Sequence, residues 1–534
     1  KAPVPGSNLS RNRLKALQKV FTDAEVLILP TDKNLGLCVI DTSWYLDSGR
    51  NTLNDTTTYQ PCVYKPAELL EEYYDVLDSY FYHASKFDPL NGDQLSQQER
   101  NWLFHPGIDE AIHVPTLKLL PKIHKSPAST RPIIPTFGTL LSNASIWVDH
   151  QLQPLLPSFP WILKDSKTFC RELLALQLSP GKEYWLVTGD VVSMYPNIPT
   201  NVGVQRIAHL LHADAPRTRG KLRLEQIQDR KSLCLALMTL VLTRNYVQFE
   251  GRTYLQKAGT AMGTSLAPVY ANLFMASFEK GFLPKLNYLT FYKRYIDDMF
   301  AIIEGPIENV NRFQEEMKGL HPALLFTWEI SQAKLPFLDV EVHLNQSHVW
   351  SDRVGGPLLH TAPFQKRLNS YLYIPWNSYH PVFVKHSFVK GEVIRYVRLC
   401  SDFDSYLTIA RRFWLRLRAR GYPPHWLAKI FLEVDWHKSR ASALLPKPPM
   451  EGKPPIIFKI TYNPLWDQMD FGPVWKALRQ GFEEHGAMTP ADRLILSRSR
   501  ATSLGDLANK SNKRKLTSHC ADLTDGTAPS IASH

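Results

Sequence analysis

Apolar runs along this chain are short and broken by polar turns, and their spacing predicts a mixed succession of strands and helices. Tyr184-Trp185-Leu186-Val187-Thr188-Gly189 reads as a buried strand that ends on Asp190. Leu289-Thr290-Phe291-Tyr292 and Met299-Phe300-Ala301-Ile302-Ile303 read as two further strands around Tyr295-Ile296-Asp297-Asp298, the pattern of a β-hairpin. Nearer the start, Glu25 to Leu29 and Leu37 to Ile40 read as strands flanking the turn Thr31-Asp32-Lys33-Asn34-Leu35-Gly36, and Pro66 to about Lys86 reads as a helix. Thr116 to Leu120 is strand-like and leads through Pro121-Lys122-Ile123-His124-Lys125 and a Ser/Pro-rich turn to Arg131-Pro132-Ile133-Ile134-Pro135. A loop with Gly259 and Gly263 runs into a helix opened by Pro268 and continued from Val269 to Phe282. From about 382 to 435 the pattern is helical. A Pro-rich connector from Leu445 to Pro455 breaks the chain, Val474 to Glu484 is a short helical unit, and the Ser/Thr/Asn/Lys-rich tail has the composition of a disordered segment. No internal repeat is visible.

With 534 residues, 44% of them hydrophobic, the chain has enough apolar surface for several packed lobes. A net charge of +12 suits a polyanionic partner such as nucleic acid. Nine Lys or Arg stand against three Asp or Glu between Lys385 and Arg420, with Phe413 and Trp414 interleaved; both a solvated helix face and a duplex-binding face fit that pattern. Six widely spaced cysteines without a Cys-x-x-Cys pair argue for a reducing compartment, against a disulfide framework and against a zinc site. No run is long enough for a helical membrane span. The first residue is Lys, so an incomplete N-terminus is expected. In the tail, Lys510 and Lys513-Arg514-Lys515 fit a nuclear-import signal, a nucleic-acid contact or merely solvated charge.

The chemistry centres on three carboxylates. An Asp-Asp pair alone also suits a polar hairpin turn. If the end of the Asp190 strand meets the hairpin, however, Asp190, Asp297 and Asp298 converge, and hard divalent cations bind such oxygen donors. Two such cations a few Å apart can clamp both ends of a phosphoryl transfer. The glycines at 259 and 263 allow a backbone to approach a base pair or sugar closely, and equally fit an ordinary loop-to-helix junction.

Five ordered motifs carry a family resemblance: Leu120-Pro121-Lys122, Arg131-Pro132-Ile133, Asp190 with Tyr195, Gln256 through Asn272, and Tyr295 through Asp298. The series resembles the right-handed-palm reverse transcriptases. Its details, which include Asp32-Lys33, Lys122-Ile123-His124-Lys125, Met194-Tyr195-Pro196-Asn197-Ile198-Pro199, Leu335-Pro336-Phe337-Leu338-Asp339 and Asn377-Ser378-Tyr379-His380-Pro381, look like the Penelope-like retroelement enzymes, which are similar to telomerase catalytic subunits. The resemblance runs from about 25 to about 516. It implies an α+β right-handed polymerase fold: N-terminal region and fingers over 1–180, a palm with an antiparallel sheet backed by helices over 181–375, a helical thumb over 376–485, and a polar, largely disordered basic tail over 486–534.

The implied activity is RNA-directed DNA synthesis, extending a DNA primer on an RNA template with deoxynucleoside triphosphates and two Mg²⁺ ions, with Mn²⁺ as an alternative. Asp190 and Asp297 match the principal metal ligands, with Asp298 a helper. Lys122 and Arg131 match cations that hold the triphosphate, and Tyr195 matches a steric gate against the 2′-hydroxyl. Gln256 and Gly263 would face the template base and nascent pair, with Asn272 either a weaker candidate for that role or only a capping or packing residue. Lys385, Lys390, Arg395, Arg398, Arg411, Arg412 and Arg416 would hold the RNA–DNA duplex by its phosphates. No GIY-YIG endonuclease, Cys/His cluster or RNase H carboxylate set is found, so the endonuclease-lacking kind, acting in the nucleus on pre-existing DNA ends, is expected. The connector between Lys122 and Arg131 is longer than in telomerases. Rivals are a telomerase-like enzyme with a dedicated RNA and a domesticated, non-catalytic nucleic-acid-binding protein. An RNA-dependent RNA polymerase is disfavoured by Tyr195.

Overall fold

A computed structural model of the chain describes residues 11–84, 95–104, 113–179, 181–212, 227–345, 349–350, 353–354, 359–366, 368–445, 455–462, 470–486, 488–489, 492–499 and 504–524. Two compact units are present. One contains Leu29–His360, and the other contains Thr361–Lys515 with the residues up to Ile28.

The first unit is organised by a four-stranded antiparallel sheet in the order Phe326–Ser331, Tyr184–Val191, Asp298–Glu304, Leu289–Tyr295. The two apolar runs of the hairpin and the run before Asp190 are therefore three neighbouring strands. Phe300, Ala301, Ile302 and Ile303 are all buried, although they alternate between faces, because both faces of the sheet are covered. Ala301 and Ile303 join Val187, Val204, Ile207, Leu233 and Phe274 in one core, which includes the helices Thr200–Leu211, Arg230–Thr243 and Ala267–Phe282. On the other face, Phe300 packs edge-on to Phe169 at 5.1 Å and against Phe337 at 5.6 Å. Phe337 belongs to the strand Lys334–Phe337, so the Leu335–Asp339 motif is a packing element under the sheet. Each such side chain contributes about 1.5–3 kcal/mol through burial.

Lys118–Lys122 and Ser129–Ile133 form a separate antiparallel hairpin with Leu120 opposite Arg131 and Lys122 opposite Ser129. Lys122 and Arg131 are thus diagonal neighbours on one face of that ribbon. The predicted helix from Pro66 is present as Pro66–Ala84, and the one opened by Pro268 as Ala267–Phe282.

The second unit contains the helices Val382–Leu399, Phe403–Ala419, Pro424–Glu433 and Trp436–Leu444 around Val389, Val393, Tyr396, Phe413, Leu417, Tyr422, Leu427 and Ile430. The Pro-rich connector lies largely outside the described residues. The expectation of a largely disordered tail is corrected: Leu494–Ser499 pairs in parallel with Ile456–Thr461, and Leu504–Thr524 is a helix. Its Asn512 is 6% exposed; Nδ2 donates to the Ile28 carbonyl at 2.7 Å and Oδ1 accepts from the Ile28 amide at 3.2 Å. Lys515 donates to the carbonyls of Val26 and Val20 at 2.7 and 3.2 Å, so this member of the basic cluster is committed within the unit. A polar composition hid the tail because its helix bonds to Ile28, 484 positions away along the chain. No helix among the described residues is long and apolar enough to cross a membrane.

Candidate active site

The strand ladder sets the geometry of the carboxylates. Asp190, the penultimate residue of its strand, lies directly opposite Asp298, the first residue of the returning hairpin strand. Tyr295 and Asp298 close the hairpin, so Ile296 and Asp297 form its two-residue turn. The Val191 amide donates to the Asp297 carbonyl at 3.1 Å, which fixes the turn against the neighbouring strand.

That turn has an unusual backbone. Ile296 has a φ of 56°, a left-handed conformation that a β-branched residue rarely adopts. What holds it is Arg294, whose side chain is fully buried. One guanidinium nitrogen donates to the Ile296 carbonyl at 2.8 Å and to Asn272 Oδ1 at 2.9 Å. The others meet both carboxylate oxygens of Glu279 at 2.7 and 2.8 Å and the Asn272 carbonyl at 3.0 Å. Tyr292 and Trp161 also donate to Glu279. Every donor of the guanidinium group is thus engaged, the condition under which a buried ion pair persists. Sequence reading left Asn272 between a weak site candidate and a capping or packing residue and overlooked Arg294 and Glu279; the available signal was a charged residue at an inward position of an alternating strand.

The carboxylates perturb one another. Partial burial raises the pKa of Asp190, and the nearby Asp297 raises it further, while Lys33 and Arg131 pull it back. Burial likewise raises Asp297, opposed by its own and the Asp298 backbone amides and by Arg131. Among the described residues, no group of three His, Cys, Asp or Glu side chains is placed to hold a metal ion by itself. The strand register sets Asp190 opposite Asp298, and the charge of Asp297 in the adjoining turn acts on Asp190. A pair of hard oxygen donors with raised pKa is suited to a divalent cation such as Mg²⁺, which keeps several waters and takes only one or two carboxylates beside substrate phosphates.

Tyr195 lies in the helical turn Met194–Asn197, entered through Ser193 at φ 50°. Its hydroxyl pKa is pushed up to about 12, by burial first and by the Asp297 charge second. The loop carrying the two glycines docks here: the Thr260 amide donates to the Tyr195 carbonyl at 2.9 Å and the Gly259 amide to Ile198 at 3.1 Å. A Cβ at Gly259, whose φ is +70°, would lie 2.2 Å from the Tyr195 carbonyl oxygen. A Cβ at Gly263, whose φ is +126°, would lie 2.4 Å from the Ile134 carbonyl oxygen, and the Ile134 amide donates to the Met262 carbonyl at 2.8 Å. The glycines therefore serve backbone-to-backbone contact, which brings the Arg131 hairpin and the Tyr195 turn onto one loop.

Gln256 departs from its expected place. It is 2% exposed, accepts from Asn245 and donates to the Ala258 carbonyl at 2.9 Å, so its amide shapes the loop from inside instead of facing a template base. Lys122 is half-buried, and burial followed by the charge of Arg131 lowers its pKa. Arg131 lies 3.5 Å from Asp32.

In the second unit, five of the seven expected duplex cations are occupied. Lys385 is 5% exposed and caps the carbonyls of Trp376 and Ser378 at 2.6 and 3.0 Å. Lys390 pairs with Glu433, Arg395 with Glu392, and Arg398 with the Ala443 carbonyl. Arg416 bonds Gln365 and stacks on Tyr371 at 3.5 Å. Arg411 and Arg412 are exposed on Phe403–Ala419. The basic run is mostly internal wiring, because long cationic side chains also cap carbonyls and cover aromatic rings.

Residues 372–431 match the Animal helix-turn-helix domain family, a span that takes in the helices Val382–Leu399 and Phe403–Ala419. No curated protein matches the chain. Among solved structures, a telomerase from Candida albicans in complex with a TWJ fragment of telomeric RNA aligns at a TM-score of 0.50 and 9% identity, over 78% of this chain and 65% of that one. The fold of this chain is similar to that of this telomerase. A telomerase from Candida tropicalis with its own TWJ fragment aligns at 0.42 and 10% identity, over 95% of this chain and 69% of that one. A BmCPV RNA-dependent RNA polymerase aligns at 0.35 and 13% identity, over 70% and 33%. The chain thus spans about two thirds (65%) of the Candida albicans telomerase.

Proposed function

We propose that this protein is an RNA-directed DNA polymerase, a nucleotidyltransferase that extends the 3′-hydroxyl of a DNA primer along an RNA template. The observation that carries the reading is the placement of Asp190 directly across from Asp298, with Asp297 in the strained turn that Ile296 opens. The four-stranded sheet is then the palm, the Lys118–Ile133 hairpin part of the fingers, and the helices from Val382 the thumb. Asp190 and Asp297, helped by Asp298, would hold Mg²⁺, which when bound supplies charge neutralisation for phosphoryl transfer. Arg131 and Lys122 would hold the triphosphate, Arg131 by a bidentate fork. Tyr195 would serve as the steric gate against a sugar 2′-hydroxyl. Arg294 holds the Ile296 carbonyl and so keeps Asp297 in its turn.

Of the two retro-enzyme types, the telomerase-like one, working with a dedicated RNA in the nucleus, draws support from the fold similarity. The Penelope-like type draws support from the short sequence motifs alone. Co-purification of a single RNA species with the protein favours the first. The polymerase reading is tested by nucleotide selection: wild-type protein should extend a primer on RNA with deoxynucleotides. Tyr195→Ala should admit ribonucleotides at least about tenfold better, roughly the 1.4 kcal/mol of one steric contact. A wild type that binds an RNA–DNA hybrid and adds neither kind of nucleotide would sink the reading.

A further inference from the structure

Two basic segments from opposite ends of the chain meet in the second unit. The helix Arg11–Thr22 carries Arg11, Arg13, Lys15 and Lys19 and no acidic residue. The helix Leu504–Thr524 carries Lys510, Lys513, Arg514 and Lys515. One face of it docks at the end of the first helix. Ala508 is 2% exposed, Ser511 Oγ donates to the Phe21 carbonyl at 2.6 Å, Asn512 holds both backbone groups of Ile28, and Lys515 reaches the carbonyls of Val20 and Val26. Residues 508, 511, 512 and 515 follow the helical repeat, so they form one stripe. All of these bonds go to backbone groups, so docking the two segments neutralises none of their charge.

Lys15 and Lys19 are exposed and stand four residues apart, and Lys510 and Arg514 are exposed at the same spacing. A like-charge pair at this spacing destabilises an isolated helix, and bringing two such pairs together adds to the repulsion. Residues 11–28 and 504–515 together hold eight Lys or Arg against three acids, Asp23, Glu25 and Asp506. A polyanion relieves that imbalance. Four helical residues rise about 6 Å, a step that neighbouring phosphates of one strand can meet. Lysine and arginine ends hold such a backbone without reading its bases. A nuclear-import signal would need the whole cluster accessible to a receptor, whereas Lys515 is held within the docking stripe.

We propose that these two helices form a phosphate-binding surface for nucleic acid, with Lys15 and Lys19 from one helix and Lys510 and Arg514 from the other as its contacts. Asn512 is the positioning residue that sets the second helix against the first. The surface rests on no part of the polymerase reading, since none of its residues belongs to the unit that carries the carboxylates. It holds a strand by backbone charge and specifies no sequence.

The test titrates the full chain with a fluorescent RNA hairpin, without primer or Mg²⁺, over a series of salt concentrations, and repeats it with a DNA duplex. Lys15→Gln with Lys19→Gln, and separately Lys510→Gln with Arg514→Gln, should each weaken binding at least about threefold and lower the salt slope by about one. All four changes together should lower the slope by about two to three. Lys231→Gln with Lys285→Gln removes the same charge as either pair from exposed positions of the first unit and should leave affinity within about twofold. Asn512→Ala removes no charge, yet should weaken binding in a chain that melting curves show to be folded. A loss confined to RNA or to DNA names the polymer that the surface prefers. Unchanged affinity in both pairs, or a loss matched by the Lys231 and Lys285 control, overturns the proposal. So does nuclear import lost in Lys510→Gln with Arg514→Gln while RNA affinity is kept, which would return the cluster to import. Binding that needs these residues in a protein that extends no primer would leave the surface standing and count against the polymerase reading alone.

Discussion

A carboxyl group partly buried beside another carboxylate holds its proton more tightly than it does in water, and Asp190 and Asp297 are both in this position. Raised folded-state pKa values mean that the folded chain binds protons the unfolded chain has already lost. The contribution of these two groups to stability without metal is therefore greatest below the usual aspartate value of about 4 and is lost as pH rises through the raised folded values. Removing one of the two charges should relieve this. Metal-free Asp297→Asn is expected to melt about 1–2 °C above wild type near pH 7.5, with the gap closing at low pH and Mg²⁺ raising the wild type alone. Melting curves of both proteins at two pH values, with and without Mg²⁺, decide it; a variant that melts lower at neutral pH contradicts the electrostatic account. At this scale the sequence showed the aspartates and the tyrosine, because motif order and strand ends mark them. It misdirected Gln256, whose amide shapes a loop that only the folded chain reveals.

The hairpin that carries Asp297 is kept in register by a helix. Arg294 on one hairpin strand and Glu279 on the Ala267–Phe282 helix pair with zero exposure, and the same guanidinium group holds the Ile296 carbonyl. Arg294→Met leaves Glu279 buried without its partner and should cost about 3–5 kcal/mol. Adding Glu279→Leu should recover part of that stability but not the turn, so the double variant is expected to fold and still polymerise poorly. Denaturant unfolding alongside extension assays separates the two effects; full activity in the folded double variant would show that the turn needs no Arg294. The sequence made strands, hairpin and helix legible through their apolar spacing. The ion pair between elements was not, because periodicity records which face is buried and not which polar groups meet there. Gly259→Ala is a second check at this scale: its Cβ would press on the Tyr195 carbonyl, so loss of stability together with weaker exclusion of ribonucleotides is expected.

Across the whole chain, a net charge of +12 is a poor guide to where a polyanion binds, since many cations are already committed within their own units. Lys385 and Arg416 are structural, whereas Arg411 and Arg412 are exposed on their helix. Arg411→Ala with Arg412→Ala should lower affinity for an RNA–DNA hybrid and reduce the salt slope by up to about two, without loss of stability. Lys385→Ala should instead lower the melting temperature and leave the slope unchanged. The sequence overstated the binding face because it counts charges without their carbonyl partners. It understated order in the tail because a helix that packs against the other end of the chain has no local signature.

Whether these carboxylates carry nucleotide transfer is decided by primer extension on an RNA template, comparing wild type with Asp297→Ala in Mg²⁺. Loss of a metal-holding carboxylate should lower the rate about a thousandfold or more, equivalent to several kcal/mol of charge stabilisation, while hybrid binding persists. Equal extension by both proteins would contradict the account.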